Sequence, residues 1–302
     1  MHRYAWLARI AGLDPVADAR EIHRISAGIE FPWDYLRSLE LALLRTSCVP
    51  AISALLAATR EFERRPQQRY DDTALLMAEI AEHGYDSERG REALRVVNRV
   101  HGRYAIANED MLYVLSTFVY EPIDWITRYG WRPPHPHEKL AAYHYYTEVG
   151  RRMGIRGIPG SYDEFREFKQ RYERERFACG DTNAAIAKYT LDLFASWYPR
   201  PLRGFAKAGV RSLLDRPMLD AFGLPPAPAW LTRAARRALL ARAWVVRLLP
   251  PRRRSTLTRY GPRLSYPGYP EGYRPGQLGA GPPPEDLDPA FLARRGEGSG
   301  AR

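Results

Sequence analysis

The sequence predicts an all-α protein, a single large helical domain followed by a Pro/Gly-rich wrapping segment. Three observations carry that prediction. Apolar residues over the first 200 positions recur at spacings of three and four, the period of an amphipathic helix. Helix-start signals are frequent, among them Ser161 with Glu164 three residues on, just after the Gly157-Ile158-Pro159-Gly160 breaker. No alternating apolar-polar runs joined by hairpin turns stand out, and no internal repeat is present. The 302 residues, 45% hydrophobic and 27% charged, exclude wholesale disorder and collagen-like repetition. A chain of this length can bury roughly 75% of its unfolded surface.

The periodicity places helices over 34–47, 50–60, 72–83, 87–105, 109–127, 136–153, 162–177, 182–197, 202–214 and 228–249. Asp86 or Ser87 can open the fourth. Asn108 is expected to cap the fifth, with Glu109 and Asp110 set against the helix dipole. Residues 1–30 read as a lead-in, 31–225 as the main helical domain, 226–260 as a basic amphipathic helix region and 261–302 as an extended tail. Proline, glycine and tyrosine dominate 261–284, and the end at 294–300 is expected to be disordered.

Two cysteines, Cys48 and Cys179, make no disulfide framework and sit in no Cys-x-x-Cys pattern, so a reducing compartment is the default. The opening residues do not form a secretory signal, because Arg9 breaks a short apolar stretch. No run of about 20 apolar residues appears, so no spanning helix is expected. The nearest stretch, 41–58, is interrupted by Arg45 and Pro50. A cytoplasmic protein, peripheral at the inner membrane face, is the resulting expectation.

Charge divides the chain unevenly. Residues 201–302 hold 18 Lys/Arg against 7 Asp/Glu, a surplus of +11, whereas residues 1–200 hold 28 of each sign. Between Trp230 and Tyr260 lie nine arginines (233, 236, 237, 242, 247, 252, 253, 254, 259) and no acid. With Leu231, Leu239, Leu240, Trp244, Val246 and Leu248, this reads as a basic amphipathic helix ended by Pro250-Pro251. Over 228–260 it suits an anionic membrane surface, or equally a solvated face on a packed helix. Nucleic acid is weaker, since no recognition motif accompanies the charge.

In the helix over 87–105, Leu94, Val97, His101 and Tyr104 fall at i, i+3, i+7 and i+10, so the helical period points His101 inward. A buried imidazole must satisfy two ring nitrogens. A hydrogen-bonded core histidine is the commoner solution; a metal, most simply haem iron, is the other. In Arg69-Tyr70-Asp71-Asp72-Thr73, Arg69 and Thr73 share a face if the helix begins early. They could then hold a haem propionate, a water or an oxygen species; from spacing alone, helix capping by Asp71 or Asp72 is favoured. A second cluster, His135, His137 and Glu138 with His144, could suggest a non-haem metal site, but no full ligand set is evident. No phosphate loop or Gly-x-Ser-x-Gly elbow is present.

These residues sit in a longer pattern. Arg69-Tyr70-Asp71-Asp72-Thr73, Gly84-Tyr85-Asp86-Ser87, Asn98-Arg99-Val100-His101-Gly102-Arg103-Tyr104, Leu115-Ser116-Thr117-Phe118-Val119-Tyr120-Glu121-Pro122, Gly130-Trp131-Arg132-Pro133 and Glu148-Val149-Gly150-Arg151-Arg152 resemble the MpaB-type oxygenases, relatives of the rubber oxygenase (latex-clearing protein) family. Phe31-Pro32-Trp33-Asp34 and Arg37-Ser38-Leu39-Glu40 fit as well, and coverage is roughly residues 25–180.

The resemblance implies a helical fold with a globin-like core around haem b. His101 would be the axial ligand, and Arg69 and Thr73 the distal-side or haem-edge residues. It implies an oxygenase using dioxygen on an apolar substrate, isoprenoid or prenylated chains among the candidates, with oxidative cleavage of a carbon–carbon double bond as one outcome. The latex-clearing branch has lysine just before the threonine; Asp72 stands there instead, a candidate acid/base or water-positioning group. The alternative is a non-catalytic helical protein of the same fold, binding a ligand or a membrane.

Overall fold

The computed structural model describes residues 2–258 and 266–293. Fourteen α-helices run through the described residues: α1 (Ala5–Ala11), α2 (Ala19–Ile25), α3 (Pro32–Thr46), α4 (Pro50–Ala58), α5 (Glu61–Arg64), α6 (Pro66–His83), α7 (Glu88–His101), α8 (Asn108–Tyr129), α9 (Pro136–Arg152), α10 (Tyr162–Arg176), α11 (Asp181–Ser196), α12 (Arg203–Arg211), α13 (Arg216–Ala221) and α14 (Ala229–Leu248). No strand is present among them, and the all-α expectation holds. An isolated bridge joins Tyr104 to Leu292. Arg259 and the terminal run from Arg294 lie outside the described residues.

α3 packs on α8, α2 on α9 and α6 on α7, and α11 packs against α4 and α12. The main core draws Ile22 and Ile25 from α2, Leu75 and Ile80 from α6, Leu94 from α7, Val119 and Tyr120 from α8, and Tyr145 and Val149 from α9. A second core joins Leu44 of α3, Phe194 of α11 and Met218 of α13. Ile10 and Ile29, from the first thirty residues, are buried in or beside these layers.

Several helix ends differ from the sequence reading. α6 starts at Pro66 rather than 72, with proline in its first turn where no N–H is needed. Arg69, Asp72 and Thr73 therefore all lie within one helix, and neither Asp71 nor Asp72 is a cap. α7 ends at His101 rather than 105; Ser87 opens it, its hydroxyl accepting from the Gly90 N–H. Asn108 is not a cap: its side chain accepts from the Arg156 N–H and donates to the Arg156 carbonyl, both at 2.9 Å, tying two loops together. Ser161 caps α10 as expected, but Glu164 accepts from the Gly160 N–H.

Between α2 and α3 runs a π-helical turn, Ser26–Glu30, every residue of it buried. Its wider winding presents Ser26 and Glu30 to the interior. It also leaves Gly28 as the landing point for the chain after α14. The Thr256 N–H donates to the Gly28 carbonyl at 2.9 Å, and a Cβ on Gly28 would lie 2.1 Å from the Ser255 hydroxyl.

The tail does wrap the body. The Tyr269 hydroxyl donates to Asp72 and the Tyr273 hydroxyl to Glu79 at 2.7 Å, both on α6. The Gly268 N–H donates to Asp71 at 3.0 Å. Farther on, the Ala105 N–H donates to the Phe291 carbonyl and the Ala293 N–H to the Arg103 carbonyl. The Arg103 guanidinium donates to the Gly281 carbonyl at 2.6 Å. Gly279 adopts φ +100° against Val96 and Val100 of α7, a left-handed conformation that a side chain would strain. The tail thus clamps the chain segment that follows His101.

Candidate functional site: a buried imidazole beside an unpaired arginine

The site forms where the C-terminal end of α7 meets the N-terminal half of α6. His101 closes α7, and its Nδ1 is buried with no hydrogen-bond partner. A helix C-terminus favours an imidazolium, typically by no more than about 2 kcal/mol. Here burial acts the other way and dominates, and the nearby Arg69 charge adds to it. The His101 pKa is lowered to about 4. The ring is therefore uncharged at neutral pH, with a nitrogen lone pair free for a metal.

Arg69 lies on α6. Its guanidinium donates to the Thr73 hydroxyl one turn along and sits 5.5 Å over the Phe62 ring of α5. No carboxylate lies within 4 Å of it among the described residues. Burial pushes its pKa down, opposed by the more distant Asp72 and Glu61. The Thr73 hydroxyl also donates back to the Arg69 carbonyl at 3.3 Å, holding the pair on one face.

His101 and Arg69 are densely surrounded by protein, yet each keeps some accessible surface. Val97 and Val100 of α7 bring apolar surface alongside.

These groups fit a haem: a neutral imidazole with an unpaired nitrogen for iron, a buried cation for a propionate, and apolar walls. An unpaired buried nitrogen and an unpaired buried cation are each costly alone. A ligand that satisfied both would remove the two costs together.

Asp72 is placed differently. It is buried, but its carboxylate accepts from Tyr269 of the tail, and the charge acting on His101 is that of Arg69. Sequence reasoning missed Tyr269 as Asp72's partner, since 197 residues separate them. It also missed α5, which supplies Phe62 and Glu61; Pro66 opening the next helix was the available signal.

The His135, His137 and Glu138 cluster proves to be a helix start. His135 caps α9, its ring accepting from the His137 N–H at 3.2 Å, while Glu138 accepts from the His135 N–H at 2.7 Å. Glu138 is further committed to Arg132 at 2.6 Å and Ser26 at 2.8 Å. His144 packs edge-on to Tyr143, 4.9 Å between ring centroids. Among the described residues no group of three His, Cys, Asp or Glu side chains is spaced to hold a metal ion. Cys48 is buried and Cys179 exposed, both free.

Comparison with known proteins gives the family and the fold. The family described as ER-bound oxygenase mpaB/B'/Rubber oxygenase, catalytic domain, matches residues 35–248. The ER-bound oxygenase mpaB of Penicillium roqueforti is 30% identical over 158 residues, covering 50% of this chain and 53% of that protein. The mpaB of Penicillium brevicompactum is 28% identical over 229 residues, 70% of this chain and 58% of that protein. Its mpaB' is 27% identical over 256 residues, 78% and 60% respectively. The chain thus spans little more than half the length of these relatives. A solved structure of latex clearing protein in the closed state superposes with a TM-score of 0.55 at 14% identity, covering 82% of this chain and 71% of that one, a likeness of fold. The chain belongs to the mpaB/rubber oxygenase catalytic-domain family.

Proposed function

We propose that the protein is a haem b-dependent oxygenase acting with dioxygen on an apolar substrate, an isoprenoid or prenylated chain being the class favoured, with oxidative cleavage of a carbon–carbon double bond as the reaction. The observation that carries this reading is the unpaired, uncharged His101 nitrogen beside the unpaired Arg69 guanidinium.

In this reading His101 would hold the haem iron, entering as a neutral imidazole that needs no deprotonation at neutral pH. Arg69 would meet a propionate or another polar group of the haem site, with Thr73 fixing its direction. Haem, when bound, supplies the oxygen chemistry that no side chain here provides. Asp72, tied to Tyr269, holds the tail over α6. An apolar substrate partitions into bilayers, so an anionic membrane surface is the proposed place of its capture.

The test is an absorption spectrum of the protein purified from haem-supplied cells. A Soret band is expected, and His101→Ala removes or sharply weakens it while leaving helicity unchanged. A colourless preparation, or a band indifferent to His101→Ala, overturns the reading. Haem without oxygen uptake across a panel of prenylated compounds favours the non-catalytic alternative of the same fold.

A further inference from the structure

α14 is pinned to the body by one face only. On that face Arg242 pairs with the buried Asp34 at 2.8 Å and lies 3.8 Å over the Trp33 ring, and Ala243 is buried. The chain beyond it is anchored as well: the Arg252 carbonyl accepts from the Trp6 indole at 2.8 Å. With its inner face held through its C-terminal half, the outer face of α14 is turned toward solvent.

That outer face is unusual in two independent ways. It is apolar: Trp230 is 59% exposed, Trp244 64% and Leu248 65%. α12, which packs against α14, adds Phe205 at 65%, with Leu202 just before it. Large apolar side chains rarely stand out together on a soluble surface without a partner. It is also cationic with nothing to neutralise it. Arg233, Arg236, Arg237 and Arg247 are exposed on α14, and none forms an ion pair among the described residues. Arg253 and Arg254, just beyond, are likewise exposed and unpaired. The sequence holds no Asp or Glu between Asp220 and Glu271. Elsewhere arginines are commonly paired, as with Arg152, Arg166 and Arg216.

We propose that the outer face of α14, with the adjoining Leu202 and Phe205, docks on an anionic lipid bilayer. The guanidinium groups meet lipid phosphates while Trp230, Trp244, Phe205 and Leu248 enter the interfacial layer. Tryptophan favours that layer because its ring is apolar and its N–H polar. A nucleic acid would use the arginines but leave the exposed Leu and Phe side chains without a role. No single described helix is long and apolar enough to cross a membrane, so the contact is peripheral. The inference deepens the membrane-capture part of the proposed function and rests on it for purpose alone; binding is measured without haem or turnover, so either can fail without the other.

The experiment sediments the full chain with vesicles of phosphatidylcholine alone, or mixed with phosphatidylglycerol. Binding to the anionic vesicles is expected at low salt, about tenfold or more above the neutral ones, and weaker as salt rises. The double variants Trp230→Ser/Trp244→Ser and Arg236→Gln/Arg237→Gln should each lose about tenfold. Their melting temperatures should match the parent, since all four side chains are exposed. A blue shift in tryptophan emission on anionic vesicles should shrink in the Trp230→Ser/Trp244→Ser variant. Failure to sediment overturns the proposal, as does wild-type binding by the tryptophan variant. Tighter retention by duplex DNA than by vesicles overturns it in favour of a nucleic-acid surface.

Discussion

Arg132, Arg45 and Arg69 are crowded by the body of the protein, and they differ in what surrounds them. Arg132 is enclosed by Glu30 and Glu138 at 2.6–3.0 Å, beside the π-helical turn. Arg45 meets Glu121 at 3.0 Å, Glu173 at 3.2 Å and Asp215, a network extended by Lys169. In both, the carboxylates outweigh burial and the guanidinium pKa is raised. Arg69 has no such carboxylate and its pKa is lowered. The first two cations hold helices together through the carboxylates that face them. The third faces no carboxylate within 4 Å among the described residues, and it stands near the His101 imidazole. The missing carboxylate, not burial, separates Arg69 from the other two.

The largest test of this contrast removes a completed charge. Arg132→Met leaves Glu30 and Glu138 buried without their cation, and should cost about 3–5 kcal/mol in denaturant unfolding. A loss below about 1 kcal/mol would place Arg132 outside the scaffold.

Glu40 gives the reverse case, a buried carboxylate with too little compensation. It is held by Arg37 and by the Tyr70 hydroxyl, both at 2.6 Å, yet burial outweighs them and lifts its pKa to about 7. The folded protein therefore keeps this proton between the ordinary value of 4.5 and about pH 7, where the unfolded chain releases it. The contribution is full below pH 4.5 and is lost as pH rises through about 7. Unfolding free energy measured from pH 5 to 8 should fall by on the order of 2 kcal/mol from this group, and Glu40→Gln should remove that decline. An unchanged profile in Glu40→Gln would assign the pH dependence to other groups.

The smallest expected effect belongs to Arg69. Replacing an unpaired buried cation with an apolar side chain is often neutral or stabilising. Arg69→Leu should change the stability of the haem-free protein by no more than about 1 kcal/mol, while haem retention on a desalting column falls. A loss of 3 kcal/mol or more would make Arg69 a structural ion partner like Arg132.

Much of the fold was legible because helical periodicity is local. Leu94, Val97 and His101 share one face of α7 as the period predicts, but Tyr104 falls past the end of the helix, in the bridge to Leu292; the helices over 136–153 and 162–177 read correctly to within a residue or two. The misread polar segments share one cause. Residues 66–71 are polar and look like a loop, but Asp71 is covered by Gly268 and Gln67 and Asp72 by Tyr269, so their polarity is satisfied inside a helix. Asn108 looks like a cap and is a loop tie. His135, His137 and Glu138 look like ligands and form a cap joined to Arg132. α1, α2 and α13 escaped notice because helices of six or seven residues offer too few turns for a period to show.

The amino-acid order alone settled the helical class, the inward direction of His101, and the segregation of positive charge into the last third of the chain. These depend on spacing along one helix or on simple composition. Only the tertiary structure decided which buried charges are matched. Arg132 finds Glu30 across 102 residues and Tyr269 finds Asp72 across 197. A charge taken out of water is stabilised by whatever the fold brings within a few ångströms, and no local pattern records that distance.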